Sequence, residues 1–382
     1  MSYVDRVSPE TKILNLPGAF DLEGGGRLEG LEVAYRSWGR LGPEGDNAVL
    51  VCHALTGSAD VDEWWTEVLG PGRALDPECD FVVATNVLGG CYGTTGPGTP
   101  TPGCPEGLGP DFPTLTIRDQ VRCQALLLQA LGVRRLRLVV GGSMGGMQAL
   151  EWAVTEPLPV DSVAALGTPP SHSPWAIGLG EAQRQAIQGD PAWKEGRYLP
   201  SAPPVKGLAL ARAVAMCSYR SPESFDLRFQ REQTTSGEFQ VESYLRYQGE
   251  KLGTRFDANS YLTLSRAMDS HDLARGRLGL DGGPGGKLGR GLDGDLEEVL
   301  AGIRPRVLLV GIRSDVLYTA PEIEGLARGI PGAELAWIDS PHGHDSFLME
   351  VEEVSEILSS FRSRLAHQSP EPAAERRVQQ CA

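Results

Sequence analysis

Short runs of consecutive apolar residues punctuate the chain, each bounded by turn-forming residues. They are Asn47–Cys52, Asp80–Asn86, Leu136–Val140, Asp161–Leu166 and Arg306–Gly311. Continuous apolar runs of this length predict strands covered on both faces, as in a parallel sheet. Leu28–Trp38 alternates instead, which predicts a strand at the sheet edge, and Glu334–Ile338 predicts a short last strand. Helical periodicity fills the gaps. Ile117–Leu131 carries Val121, Ala125 and Leu128 on one face, and Met147–Val154, Ala320–Gly329 and Asp345–Leu365 read the same way. Residues 1–27 are polar and end in glycines, so no element is assigned there. Strands alternating with helices predict the α/β class, a mostly parallel sheet flanked by helices.

Between Ser171 and Leu300 this alternation stops. Helical segments are expected at Gly180–Gln188, Gly207–Tyr219, Ser221–Gln230, Val241–Phe256 and Ala258–Met268. A helical insert between two sheet strands is expected to act as a lid. Gly276–Asp295 has no period and many glycines, and is expected to be a flexible surface insertion. The expected organisation is a core from residues 1–170 and 301–366, a lid at 171–300 and a disordered tail at 367–382.

One turn between a strand and a helix carries chemistry. Gly141-Gly142-Ser143-Met144-Gly145-Gly146 follows the run Leu136–Val140 and precedes a helix. Strand, sharp glycine turn and helix is the context of a G-x-S-x-G nucleophile elbow. The amide of Met144, in the first turn of the helix, then faces the place where an oxyanion would form. A serine nucleophile needs a base and an acid that orients the base. In α/β-hydrolases these follow in the order serine, acid, histidine at later strand ends. Asp315 comes just after Arg306–Gly311, and His342 and His344 come after Glu334–Ile338. Spacing leaves His342 and His344 as alternatives. A second oxyanion amide belongs on the loop after an early core strand, which selects Leu55 in His53–Gly57.

Composition narrows the partners. The net charge of −15 argues against nucleic acid and anionic membrane surfaces. No run approaches the length of a membrane span, and the first residues lack the apolar stretch of a secretion signal. Seven scattered cysteines with no C-x-x-C pair argue against zinc and for reduced thiols, hence a cytoplasmic protein without metal.

Five segments together, HALTGSA at 53–59, NVLGGCYGTTGP at 86–97, GGSMGG at 141–146, SDVLY at 314–318 and GHDSFL at 343–348, resemble the homoserine O-acyltransferases of methionine biosynthesis. The acetyltransferases of that family are the nearest match, and the resemblance spans about residues 30–365. It implies an α/β-hydrolase fold with a helical lid, a homodimer through the lid helices, and the triad Ser143, Asp315 and His344. It implies acetyl transfer from acetyl-CoA, a co-substrate and not a bound cofactor, to the hydroxyl of L-homoserine by a ping-pong route. It further implies that Arg212 holds the homoserine carboxylate with Tyr219 nearby, and that Asp345 meets the amino group. Arg220 competes with Arg212 for that role. The chain departs from the family near position 60, where Asp60 and Asp62 stand in place of a usual histidine. The rival readings are a succinyl donor, a serine acceptor, an ester hydrolase, and a non-catalytic protein of the same fold.

Overall fold

The computed structural model describes residues 7–101, 103–277 and 294–368. Eight strands form one sheet: β1 (Lys12–Asp21), β2 (Arg27–Trp38), β3 (Ala48–Cys52), β4 (Phe81–Thr85), β5 (Leu136–Gly142), β6 (Ser162–Leu166), β7 (Arg306–Ile312) and β8 (Glu334–Ile338). Their spatial order is β1-β2-β4-β3-β5-β6-β7-β8. The two pairings of β2, with β1 and β4, are antiparallel and the rest are parallel. Strands β3, β5 and β6 are buried almost throughout, as their apolar runs predict. β1 was not expected. Its alternation is broken by Pro17-Gly18, where the register with β2 shifts between Leu16 and Ala19. It is mostly exposed, so it lacks the apolar run that marks a covered strand.

Helices α1 (Val61–Trp64), α2 (Ile117–Ala130) and α3 (Met144–Thr155) precede β6. After β6 the chain leaves the sheet for α4 (Pro174–Gln188), α5 (Val205–Tyr219), α6 (Pro222–Phe229), α7 (Gln240–Arg255) and α8 (Ala258–Asp269). It returns through α9 (Leu296–Ala301), α10 (Ala320–Gly329), α11 (Ser346–Met349) and α12 (Val351–Gln368). α4 starts six residues before its expected start, because Ser173 caps the Ala176 amide and Pro174 takes the first turn. The expected final helix is broken. A 3₁₀ turn at Gly343–Asp345, α11 and α12 replace it, with Glu350 outside helical geometry between the last two. Leu300, on α9, belongs with Ile323, Leu326 and Ile330 to the core beside the sheet. Most of the expected insertion at 276–295, and the tail beyond Gln368, lie outside the described residues.

The sheet carries a hydrophobic layer on each face. One contains Leu50, Val139, Trp152 and Leu309, the other Val51, Val140, Val310 and Phe361. A third cluster joins Leu55, Met144, Met147 and Tyr318 to Leu208, Phe256 and Tyr261. It therefore fastens α5, α7 and α8 over the carboxyl ends of β3, β5 and β7, the edge where α/β sheets bind ligands.

Candidate active site

Ser143 is the single residue between β5 and α3. Its backbone sits at φ 57°, ψ −123°, a region that L-residues avoid. Three chain segments crowd it. A Cβ on Gly141 would lie 2.6 Å from Cys52 O, and one on Gly146 would lie 2.7 Å from Thr168 Cγ2. A Cβ on Gly145 would overlap Cys52 O, and one on Gly142 would enter the Phe347 ring. The glycines of the motif are thus required by close approach, of backbone at Gly141 and Gly145 and of side chains at Gly142 and Gly146. α3 begins at Met144, three residues before its expected start, and its first turn lies against the end of β3. That contact brings Met144 and Leu55 into one buried cluster.

On the sheet side, the loop after β3 is held by neutral groups. His53 Nε2 accepts from Val87 N at 3.2 Å, so its proton is on Nδ1, which donates to Ala54 O at 2.8 Å. Burial pushes the His53 pKa down to about 4, against the raising effect of that bond. Asn86 Oδ1 accepts from Ala59 N at 2.7 Å, and its Nδ2 donates to Tyr92 O at 2.7 Å. The long loop after β4 is pinned too: Thr94 and Thr95 hydroxyls accept from the amides of Ala34 and Glu32.

Asp315 follows β7 and is almost fully buried. Its Oδ1 accepts from the amides of Leu317 and Tyr318 at 2.8 and 3.0 Å. Its Oδ2 accepts from His344 Nδ1 at 2.6 Å. This fixes the tautomer and leaves Nε2 open. Nε2 is buried and has no hydrogen-bond partner among the described residues. Burial alone would lower the His344 pKa; the Asp315 charge and hydrogen bond outweigh it, and the net shift is upward. Ser143 N donates to Leu166 O at 2.9 Å, and Thr168 Oγ1 donates to Ser143 O at 3.1 Å. The His344 ring lies against Gly167, between those two partners. Ser143, Asp315 and His344 therefore converge. His342 does not join them: its Nδ1 meets Ser224 Oγ on α6 at 3.2 Å.

The three residues assigned to the acceptor gather beside His344. The Arg212 guanidinium lies 5.4 Å from the centre of the Tyr219 ring, and that ring lies 5.8 Å from the His344 ring. Burial is the main cause that raises the Asp345 pKa, opposed by Arg212, Arg220 and His344. Arg220 Nε lies 3.4 Å from Asp345 Oδ2, while Arg212 makes no ion pair among the described residues. So Arg220 is committed to a protein carboxylate and Arg212 is not. Tyr318 and Phe347, to which the sequence reading gave no role, pack edge-on against His344 at 5.1 and 5.7 Å. Asp60 and Asp62, the departure from the family pattern, both bind Arg36, at 3.0 and 2.6 Å. They serve a structural ion cluster at the base of the loop.

Residues 47–350 match the family model for the α/β-hydrolase fold. Homoserine O-acetyltransferase from Trichormus variabilis is 49% identical over 367 residues, covering 96% of this chain and 98% of the relative. That from Nostoc punctiforme is 50% identical over 358 residues, covering 94% and 98%. The chain belongs to the homoserine O-acetyltransferase family. Among solved structures, homoserine O-acetyltransferase from Staphylococcus aureus aligns with a TM-score of 0.72 at 29% identity, over 92% of this chain and 95% of that one. Esterase E22 aligns at 0.81 but with 24% identity, over 92% and 99%, a likeness of fold alone. In this family frame the segments of the sequence that carried the resemblance are the ones that build the site.

Proposed function

We propose that this homoserine O-acetyltransferase works through an acetyl-Ser143 intermediate. His344 Nε2 takes the Ser143 Oγ proton as Oγ attacks the thioester carbonyl of acetyl-CoA. The oxyanion is met by the amides of Met144 and Leu55, a contribution of about 3 kcal/mol per donor. The tetrahedral intermediate collapses, the carbon–sulfur bond breaks, and the CoA sulfur leaves with the proton from His344. L-Homoserine then enters, its carboxylate on Arg212 beside Tyr219 and its ammonium group on Asp345. His344 takes the hydroxyl proton, the hydroxyl oxygen attacks acetyl-Ser143, and collapse frees O-acetyl-L-homoserine as Oγ regains the proton. Asp315 holds the imidazole and stabilises its charged form throughout.

The observation that carries this reading is the open, buried Nε2 of an Asp-bound histidine beside Asp345 and beside Arg212, a cation with no ion pair among the described residues. A zwitterionic acceptor needs that pair and an ester hydrolase does not. The helices α4–α8 act as the lid that keeps water from the acyl-enzyme. The assembly is a cytoplasmic homodimer through those helices. Leu210, Leu227 and Tyr247, on α5, α6 and α7, support this, being 56%, 64% and 59% exposed. Among the described residues, no helix is long and apolar enough to cross a membrane.

Mass spectrometry after mixing with acetyl-CoA tests the route. The expected result is an acetyl group on Ser143 that homoserine discharges and serine does not, no adduct in Ser143→Ala, and an adduct that homoserine discharges slowly in Arg212→Ala. Discharge by serine or water as fast as by homoserine would overturn the acceptor assignment. A stable adduct from succinyl-CoA but not acetyl-CoA would overturn the donor.

A further inference from the structure

Arg255 ends α7 and reaches across to the loop that follows β3. Its Nη1 donates to Thr56 O at 2.7 Å and to Tyr92 Oη at 2.8 Å. Its Nη2 lies 3.5 Å from Thr56 Oγ1, and Tyr92 Oη donates back to Arg255 O at 3.1 Å. Thr56 directly follows Leu55. An arginine at a helix C-terminus is ordinarily explained by the helix dipole or by an acidic neighbour. Here the guanidinium pairs with no carboxylate among the described residues, and its bonds go to a backbone carbonyl and a phenol. It joins three pieces: a helix of the α4–α8 layer, the glycine-rich loop through Tyr92, and the loop bearing the Leu55 amide. The other braces of that loop, His53 and Asn86, come from the sheet side.

We propose that Arg255 is a positioning residue for the oxyanion hole, fixing the loop that carries the Leu55 amide by holding Thr56 O, two peptide units further on, and bringing a positive charge to that loop. The inference rests on the acetyl-Ser143 route. Both half-reactions pass through an oxyanion at the same place, so both depend on how that loop presents the Leu55 amide. A preorganised donor acts because it need not move when charge develops, and loosening it forfeits part of the effect. Arg255 also makes the oxyanion loop sensitive to where α7 lies, so the helical layer and the catalytic loop settle together.

The experiment uses the full chain and compares wild type, Arg255→Lys and Arg255→Ala. Rapid-quench mass spectrometry reads the rate of acetyl-Ser143 formation from acetyl-CoA, then its discharge by homoserine. Both rates should fall by about 10- to 100-fold in Arg255→Ala, less than for outright loss of a donor. The homoserine KM should stay within about twofold of wild type. Arg255→Lys keeps the charge but lacks the fork that spans Thr56 and Tyr92, and should fall between the two. Added guanidinium should restore part of the Arg255→Ala rate. If the alanine variant does not fold, the lysine variant decides alone, by equal losses in the two half-reactions. Wild-type rates in either folded variant, or a raised KM with unchanged rates, would overturn the proposal. Absence of acetyl-Ser143 in the wild type would instead overturn the route on which it rests.

Discussion

His344 is under opposing electrostatic demands, and their balance sets the working pH. Burial disfavours the imidazolium, while Asp315 favours it and prevails, so the pKa lies above that of an ordinary histidine. The base of the proposed route acts neutral. kcat/KM should therefore fall as pH drops through a value on the alkaline side of an exposed histidine, and level off above it. In Asp315→Asn the charge is gone and burial remains, so that limb should move to lower pH while kcat falls about 10⁴-fold. A pH–rate profile of both proteins checks this, and an unmoved limb would refute the assignment of the titrating group. Ser143, Asp315 and His344 were legible because each follows a recognisable strand in the order the chemistry requires. His342 and His344 were not separable by spacing. Contacts separate them, through Ser224 and Asp315, which lie 118 and 29 residues away in the chain. Tyr318, Phe347 and Arg255 left no trace in the periodicity, since an aromatic or a helix-end arginine looks the same whether it packs or positions.

The elbow is the element on which the site depends, and it is built from main chain. Gly145→Ala places a methyl group in overlap with Cys52 O, which belongs to a buried strand and cannot give way cheaply. The expected outcome is destabilisation of about 1–3 kcal/mol, read as a lower Tm, together with loss of acylation in the molecules that still fold. Gly178→Ala is the matched control. Gly178 is an exposed position within α4 where an added Cβ meets nothing within 4 Å. That variant should gain up to about 1 kcal/mol from helix propensity alone and keep its activity. Equal effects from both would show that crowding at the elbow is not what selects glycine. Element boundaries were legible where the periodicity is undiluted, as in β3, β8, α8 and α10, and poorly so at β1, the start of α4 and the final helix. β1 is exposed and bulged, so its pattern is diluted. The final helix looked continuous because Gly343–Met349 keeps helical spacing, while its actual path is set by contacts such as Trp65 Nε1 donating to Phe347 O at 2.9 Å.

At the scale of the whole molecule, sheet and helical layer meet in one shared cluster around Met144, Leu55 and Tyr318. The dimer proposed above would use the opposite side of that layer. α5 and α7 pack against each other, with Met216, Phe229 and Tyr244 filling the space between them and α6. Leu227→Asp combined with Tyr247→Asp should convert a dimer to a monomer in analytical ultracentrifugation, because burying a charge at an apolar contact is unfavourable. A sedimentation coefficient equal to that of wild type would place the contact elsewhere. The fold class could be read from the sequence, because alternating covered strands and helices admit few arrangements. The way α4–α8 sit on the sheet could not, since amphipathic helices without strand neighbours fit many packings.

The crowding around Ser143 has a consequence for how such a protein can change over time. The nucleophile's place is set where the backbones of Cys52 and Gly145 meet beside the Thr168 side chain, and little can be exchanged there. Arg212 and Tyr219 stand on a helix, α5, whose surface can be rewritten residue by residue. A lineage can therefore exchange acceptors by altering α5 while the acylating centre is passed on unaltered.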